Sequence, residues 1–157
     1  MPDAGLVLIG YDGSESADRA IAGAGPLLAP RPALVVTAWE PGVAYEALSA
    51  SGFPTVQTID FGAAAAVDQA MYEGARRTAE RGVGLAREAG FSAEGLVVSD
   101  PADVAATLAR LAADRGAQVI VVGTRGRNLE TRLMGSTLRR LAERAHCPVL
   151  VVPEPEG

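Results

Sequence analysis

The chain has no lysine; all 14 of its basic residues are arginine. This excludes a P-loop, whose lysine reaches the β- and γ-phosphates. Any phosphate would have to be met by main-chain N–H groups, by arginine or by a metal ion. Cysteine occurs once, at Cys147, which rules out a disulfide framework and a thiolate metal cluster. A lone thiol of this kind reads as a small core hydrophobe. Histidine also occurs once, at His146; with no partner suited to catalysis or metal binding it reads as a helix-end residue. Aromatic residues make up only 4% of the chain, so the core is expected to be Val, Leu, Ile and Ala packed between layers. No apolar run approaches membrane-spanning length, and "MPDAGLVLIGYDGS" lacks the basic and long apolar regions of a signal peptide. A cytoplasmic protein without a membrane partner is expected. The formal charge of −5 argues against nucleic acid as a partner, since a generic binder carries a basic surface.

What is present is an alternation of apolar strands and helices. At 157 residues the chain fits one domain, taken as 1–157, able to bury a core unaided. "GLVLIGYD" (Gly5–Asp12), "ALVVTAW" (Ala33–Trp39), "EGLVVS", "AQVIVVG" and "PVLVVP" read as five strands buried in a parallel sheet. A helix is expected after Asp12, capped by that residue with Glu15 completing a capping-box variant, and ending near Pro30. Another covers Ala63–Ala89, somewhat weakened by its glycines. A third has Pro101 in its first turn and Gly116 just past its end; a fourth starts near Ser136. Residues 40–62, with scattered Pro, Gly and Ser, read as a long mobile loop. The order β-α-β-loop-α-β-α-β-α-β predicts a three-layer α/β/α sandwich, Rossmann-like, with a five-stranded parallel sheet. Ligands in such sheets sit beyond the strands' carboxyl ends, where strand order reverses. Asp12, Ala38 and Gly123 all fall at such ends.

One stretch departs from routine composition. Gly123-Thr124-Arg125-Gly126 follows the fourth strand, Gly135-Ser136-Thr137 opens the last helix, and Arg125, Arg127 and Arg132 make the segment locally positive. Glycines let the backbone approach a ligand, and free N–H groups at a helix start favour an anion. The plainer reading is a glycine turn and a serine cap, both ordinary connection chemistry. Asp12 likewise has two readings, a helix cap and an acceptor for a ribose hydroxyl. Arg125 and Arg127 are either phosphate partners or solvated surface arginines. Arg139, Arg140 and Arg144 read as a solvated helix face, with Leu138, Leu141 and Ala145 turned inward. No Ser-His-Asp elbow, zinc spacing or dinucleotide fingerprint is present.

The strand-end "GYDGS", the segment "VIVVGTRG", the later "GS" and the closing "CPVLVVP" together resemble the universal stress protein family. The resemblance runs from Leu6 to Val152 and is weakest between Pro41 and Gly62. It implies a five-stranded parallel fold of the adenine nucleotide alpha hydrolase-like kind, usually a homodimer. It also implies a stress-response or signalling role with ATP, accompanied by Mg2+, as ligand. The family's ATP-binding pattern, G-x2-G-x9-G-[ST], falls on Gly123, Gly126, Gly135 and Ser136, which would hold the phosphates, with Thr137 adding an N–H or hydroxyl. Asp12 matches the residue that contacts the adenosine part, and Ala38 the position whose backbone reads the adenine edge. One spacing differs: "RNLETRLM" between Gly126 and Gly135 has eight residues where the pattern has nine, which alters the reach of the segment. Two readings follow: a nucleotide-binding module with at most slow hydrolysis, and a nucleotide-free interaction module. An efficient ATPase fits worst, because a lysine clamp is absent. The last strand, an apolar edge, favours a two-fold dimer.

Overall fold

The structure, a computed structural model, describes residues 5–39, 61–99, 103–124 and 134–153, and only the backbone of 61–64 and 134–136. Along the chain run β1 (Val7–Gly10), α1 (Glu15–Leu28), β2 (Pro32–Trp39), α2 (Phe61–Glu88), β3 (Ser92–Ser99), α3 (Val104–Arg115), β4 (Val119–Gly123), α4 (Met134–Arg144) and β5 (Val149–Val152). The strands form one parallel sheet of order β3-β2-β1-β4-β5. Most of the expected loop lies outside the described residues, but Phe61 and Gly62 already belong to α2.

Alternation of side chains along each strand divides the core between two layers. On one face Val7 and Ile9 of β1, Tyr11 just beyond it, Val35 of β2 and Val121 of β4 are buried with Ala17, Ala20, Ile21 and Ala24 of α1 and Val83 and Ala86 of α2. On the other, Leu8, Val36, Ile120 and Val122 pack with Ala105, Leu108 and Ala112 of α3 and with Leu141 of α4. The result is the three-layer α/β/α arrangement expected from the strand–helix alternation. Each large aliphatic side chain removed from water in these layers contributes about 1.5–3 kcal/mol. Alanine dominates the inner faces of the helices, which brings them close to the sheet. One such close approach is at Gly82, one of the glycines read as weakening α2: a β-carbon there would meet the Tyr11 ring at 2.7 Å and Val35 Cγ1 at 2.8 Å. It is where the helix lies down on the sheet.

At α1 and α3 the capping differs from expectation. Ser14, not Asp12, caps α1: its hydroxyl accepts from Ala17 N–H at 3.1 Å. Gly13, at φ +81°, turns the chain after Asp12 and so delays the extended conformation an N-cap requires until Ser14. Glu15 is then the first helical residue rather than the third. α3 is capped by Asp103, which accepts from Ala106 N–H at 3.3 Å, so Pro101 precedes the helix. Gly116 ends α3 in the left-handed conformation, as expected.

The two sheet edges are unlike. β3 exposes Ser92, Glu94 and Ser99, whereas β5 is Val-Leu-Val-Val with Val151 exposed and proline at both flanks.

Candidate functional site

β1 lies at the centre of the sheet, with β2 on one side and β4 on the other. The chain therefore reverses direction across β1, and the loops after β1 and β4 leave toward opposite layers. Asp12 and Gly123, two of the predicted residues, sit at this switch point.

Asp12 is half-buried and its Oδ1 accepts from Ser14 N–H at 3.0 Å. This Asx turn fixes the carboxylate, and its Oδ2 has no partner among the described residues. Of the two readings for Asp12, the structure replaces the helix cap with this turn and leaves an acceptor oxygen in place. Gly123 closes β4 against the first turn of α1: a β-carbon on it would lie 2.5 Å from Ser16 Oγ and 2.7 Å from the Ser16 carbonyl oxygen. Only a glycine lets the two segments touch. Beside it, the buried hydroxyls of Ser16 and Thr124 are 3.5 Å apart. Sequence reasoning passed over this pair, because the partners are 108 positions apart.

Ala38 has a different claim. The last rung between β1 and β2 is Tyr11 N–H donating to Val36 O at 2.9 Å. In a parallel ladder alternate residues present both main-chain groups to the same neighbour. Ala38, two residues beyond Val36, therefore directs its N–H and C=O toward the β1 side, past the end of that ladder. One donor and one acceptor stand side by side there, the pairing a heteroaromatic edge requires.

α4 begins at Met134, two residues before the expected start, so Gly135, Ser136 and Thr137 all lie in its first turn. The N–H groups of a first turn have no acceptor within the helix, and β5 follows α4 in the direction that places this turn at the strands' carboxyl end. Thr137 is exposed. Arg125, Gly126, Arg127 and Arg132 lie outside the described residues. The structure thus brings Asp12, Ala38, Gly123 and the start of α4 to one end of the sheet.

A second polar group stiffens the same end. Tyr11, 3% exposed, donates its phenol to Asp18 Oδ1 at 2.5 Å, and Arg81 of α2 pairs with Asp18 Oδ2 at 2.7 Å. The chain of contacts ties β1, α1 and α2 together. Burial first, and then the hydrogen bond to Asp18, push the Tyr11 phenol well above its ordinary range. In α4 the expected inward face holds: Leu141 is buried, with Leu138 and Ala145 packed beside it. Arg140 and Arg144 are not merely solvated, since both reach Asp103 Oδ2, at 3.6 and 4.0 Å. His146 is exposed, and Cys147 is half-buried against the α3–α4 core, its thiol pushed up by burial. No helix among the described residues is long and apolar enough to cross a membrane.

The sequence profile of the universal stress protein family matches residues 5–153. No curated protein matches the chain by sequence. Several solved structures share the fold. A hypothetical protein solved as a test case for structure-based assignment of biochemical function has a TM-score of 0.71 and 20% identity, with 99% of each chain covered. A universal stress protein from Archaeoglobus fulgidus in complex with dAMP has a TM-score of 0.60 and 21% identity, covering 94% of this chain and 95% of its own. A universal stress protein in complex with cAMP has a TM-score of 0.58 and 26% identity over 95% and 96%. With 149 of its 157 residues inside the profile match and a sheet of the order and connectivity described above, this chain belongs to the universal stress protein family.

Proposed function

We propose that the protein binds an adenine nucleotide, ATP with Mg2+, at the carboxyl end of β1 and β4 and serves as a stress-response or signalling module. The observation that carries this reading is the convergence at the switch point of three kinds of group. In this reading Asp12 Oδ2 accepts from a ribose hydroxyl, the Ala38 main chain pairs with the adenine edge, and the first turn of α4, at the same end of the sheet as Gly123, takes phosphate. Relatives solved with dAMP and cAMP support the ligand class. In this reading Arg125, Gly126 and Arg127 complete the phosphate cradle, Mg2+ shields charge on the phosphates, and two copies associate through β5. Turnover is at most slow, because no lysine is available to clamp the transferred phosphoryl group.

The eight-residue spacer between Gly126 and Gly135 favours a second reading, in which the module works without nucleotide. Thermal melting of nucleotide-free protein with added ATP and Mg2+ separates the two. At one hundred times the dissociation constant, binding adds about 2.7 kcal/mol, a rise of roughly 5–10 °C for a chain of this size. Gly126→Val and Gly135→Val should each abolish the rise. No rise at millimolar ATP, together with no adenine nucleotide released on denaturing fresh protein, would establish the second reading.

A further inference from the structure

We propose that Trp39 is a specificity-determining residue of this site, its indole covering one face of the bound adenine base; the inference rests on the nucleotide-binding reading above. Trp39 follows Ala38 and ends β2. A base bonded to the Ala38 main chain lies close to the plane of the sheet, beyond β1, with one face toward the α1–α2 layer and the other toward α3–α4. Side chains alternate along β2, so Trp39 shares the face of Val35, the α1–α2 side. The indole therefore stands on one side of the base, next in sequence to the groups that read its edge.

The indole is held in place. Its ring meets Tyr72 of α2 edge-to-face, with centroids 5.6 Å apart and planes at 66°, an arrangement that favours a fixed ring orientation. α2 makes this possible by running past the sheet. Val83 packs over Gly95 in the body of the sheet, and Tyr72, 11 residues nearer the helix start, is about 16 Å farther along the axis. Trp39 and Tyr72 thus form an apolar pair above the strands' carboxyl ends. Such a pair suits the flat, apolar face of a base and gives nothing to a sugar phosphate. It predicts that the base, more than the phosphate tail, distinguishes ligands here.

Trp39 is the chain's sole tryptophan, so its emission reports on the site directly. AMP and ribose 5-phosphate are titrated into the full chain by calorimetry and by tryptophan fluorescence. AMP should change the emission saturably, with the same midpoint as the heat, and ribose 5-phosphate should leave it unchanged. Trp39→Leu should weaken AMP about tenfold, and Trp39→Phe, which keeps a stacking face and the contact with Tyr72, by much less. Heat from AMP with unchanged emission and equal affinity for the Trp39→Phe and Trp39→Leu proteins would overturn the role of Trp39 while leaving nucleotide binding intact. Absence of any heat from AMP and from ATP with Mg2+ alike would overturn both.

Discussion

Thr37 is 4% exposed, and its hydroxyl has no hydrogen-bond partner among the described residues. A buried polar group left unbonded costs about 1–3 kcal/mol, whereas an apolar group of the same shape costs nothing of the kind. Thr37→Val should therefore raise stability by about 1 kcal/mol, read as a higher urea midpoint at unchanged slope; a lower midpoint would mean that the hydroxyl is satisfied in solution. Tyr11 makes the opposite case, a buried hydroxyl with a strong acceptor. Its folded-state phenol keeps its proton where the unfolded chain loses it, near pH 10. Above that pH the unfolded state binds fewer protons than the folded one. The contribution of Tyr11 is thus fully present below pH 10 and declines as pH rises, by up to about 1.4 kcal/mol per pH unit. Tyr11→Phe should flatten this alkaline decline in denaturation curves taken between pH 9 and 11. If the two proteins lost stability in parallel, the phenol would be ionising freely in the folded state.

Asp103 caps α3 and faces Arg140 and Arg144 of α4. Magnitudes decide which role matters. A lost cap costs about 0.5–2 kcal/mol, while ion pairs at 3.6 and 4.0 Å to half-exposed arginines are worth well under 1 kcal/mol. Asp103→Ala should cost about 1 kcal/mol, and Asp103→Asn, which still caps but carries no charge, only a few tenths; equal losses would assign the stability to the ion pairs. This residue also marks how far the elements could be read from the chain. The strands were legible because runs such as "GLVLIG" and "VIVVG" carry burial on both faces in their composition. Helix starts were less so: Pro101 drew the α3 start forward, and Asp12 took the capping role that the left-handed turn at Gly13 hands to Ser14. The site was legible from strand ends together with the family resemblance, and the fold brings Asp12, Ala38 and Gly123 to one end of the sheet. Tyr11–Asp18–Arg81 was not legible, because Asp18 and Arg81 are 63 positions apart in sequence and meet only once α2 lies on the sheet. Gly82 was likewise read by propensity, while its use is contact. Gly82→Ala should lift α2 off Tyr11 and Val35 and cost about 1–3 kcal/mol by thermal melting, despite alanine's higher helix propensity.

For the whole molecule, the proposed dimer through β5 makes a direct prediction. Val151→Arg places a charge on the apolar edge and should convert a two-copy species to a single-copy one by light scattering on size-exclusion chromatography, with the melting transition still cooperative. An unchanged mass would place any association elsewhere. In the proposed dimer one edge of the sheet accepts a partner and the other discourages pairing. Glu94 on β3 would face its own kind, or an apolar strand, in any pairing there. Once two β5 strands have met, each copy has used its single receptive margin and turns a charged one outward. In that dimer growth beyond a pair would be blocked, and a protein built around an extensible sheet would stay a finite particle instead of a fibre.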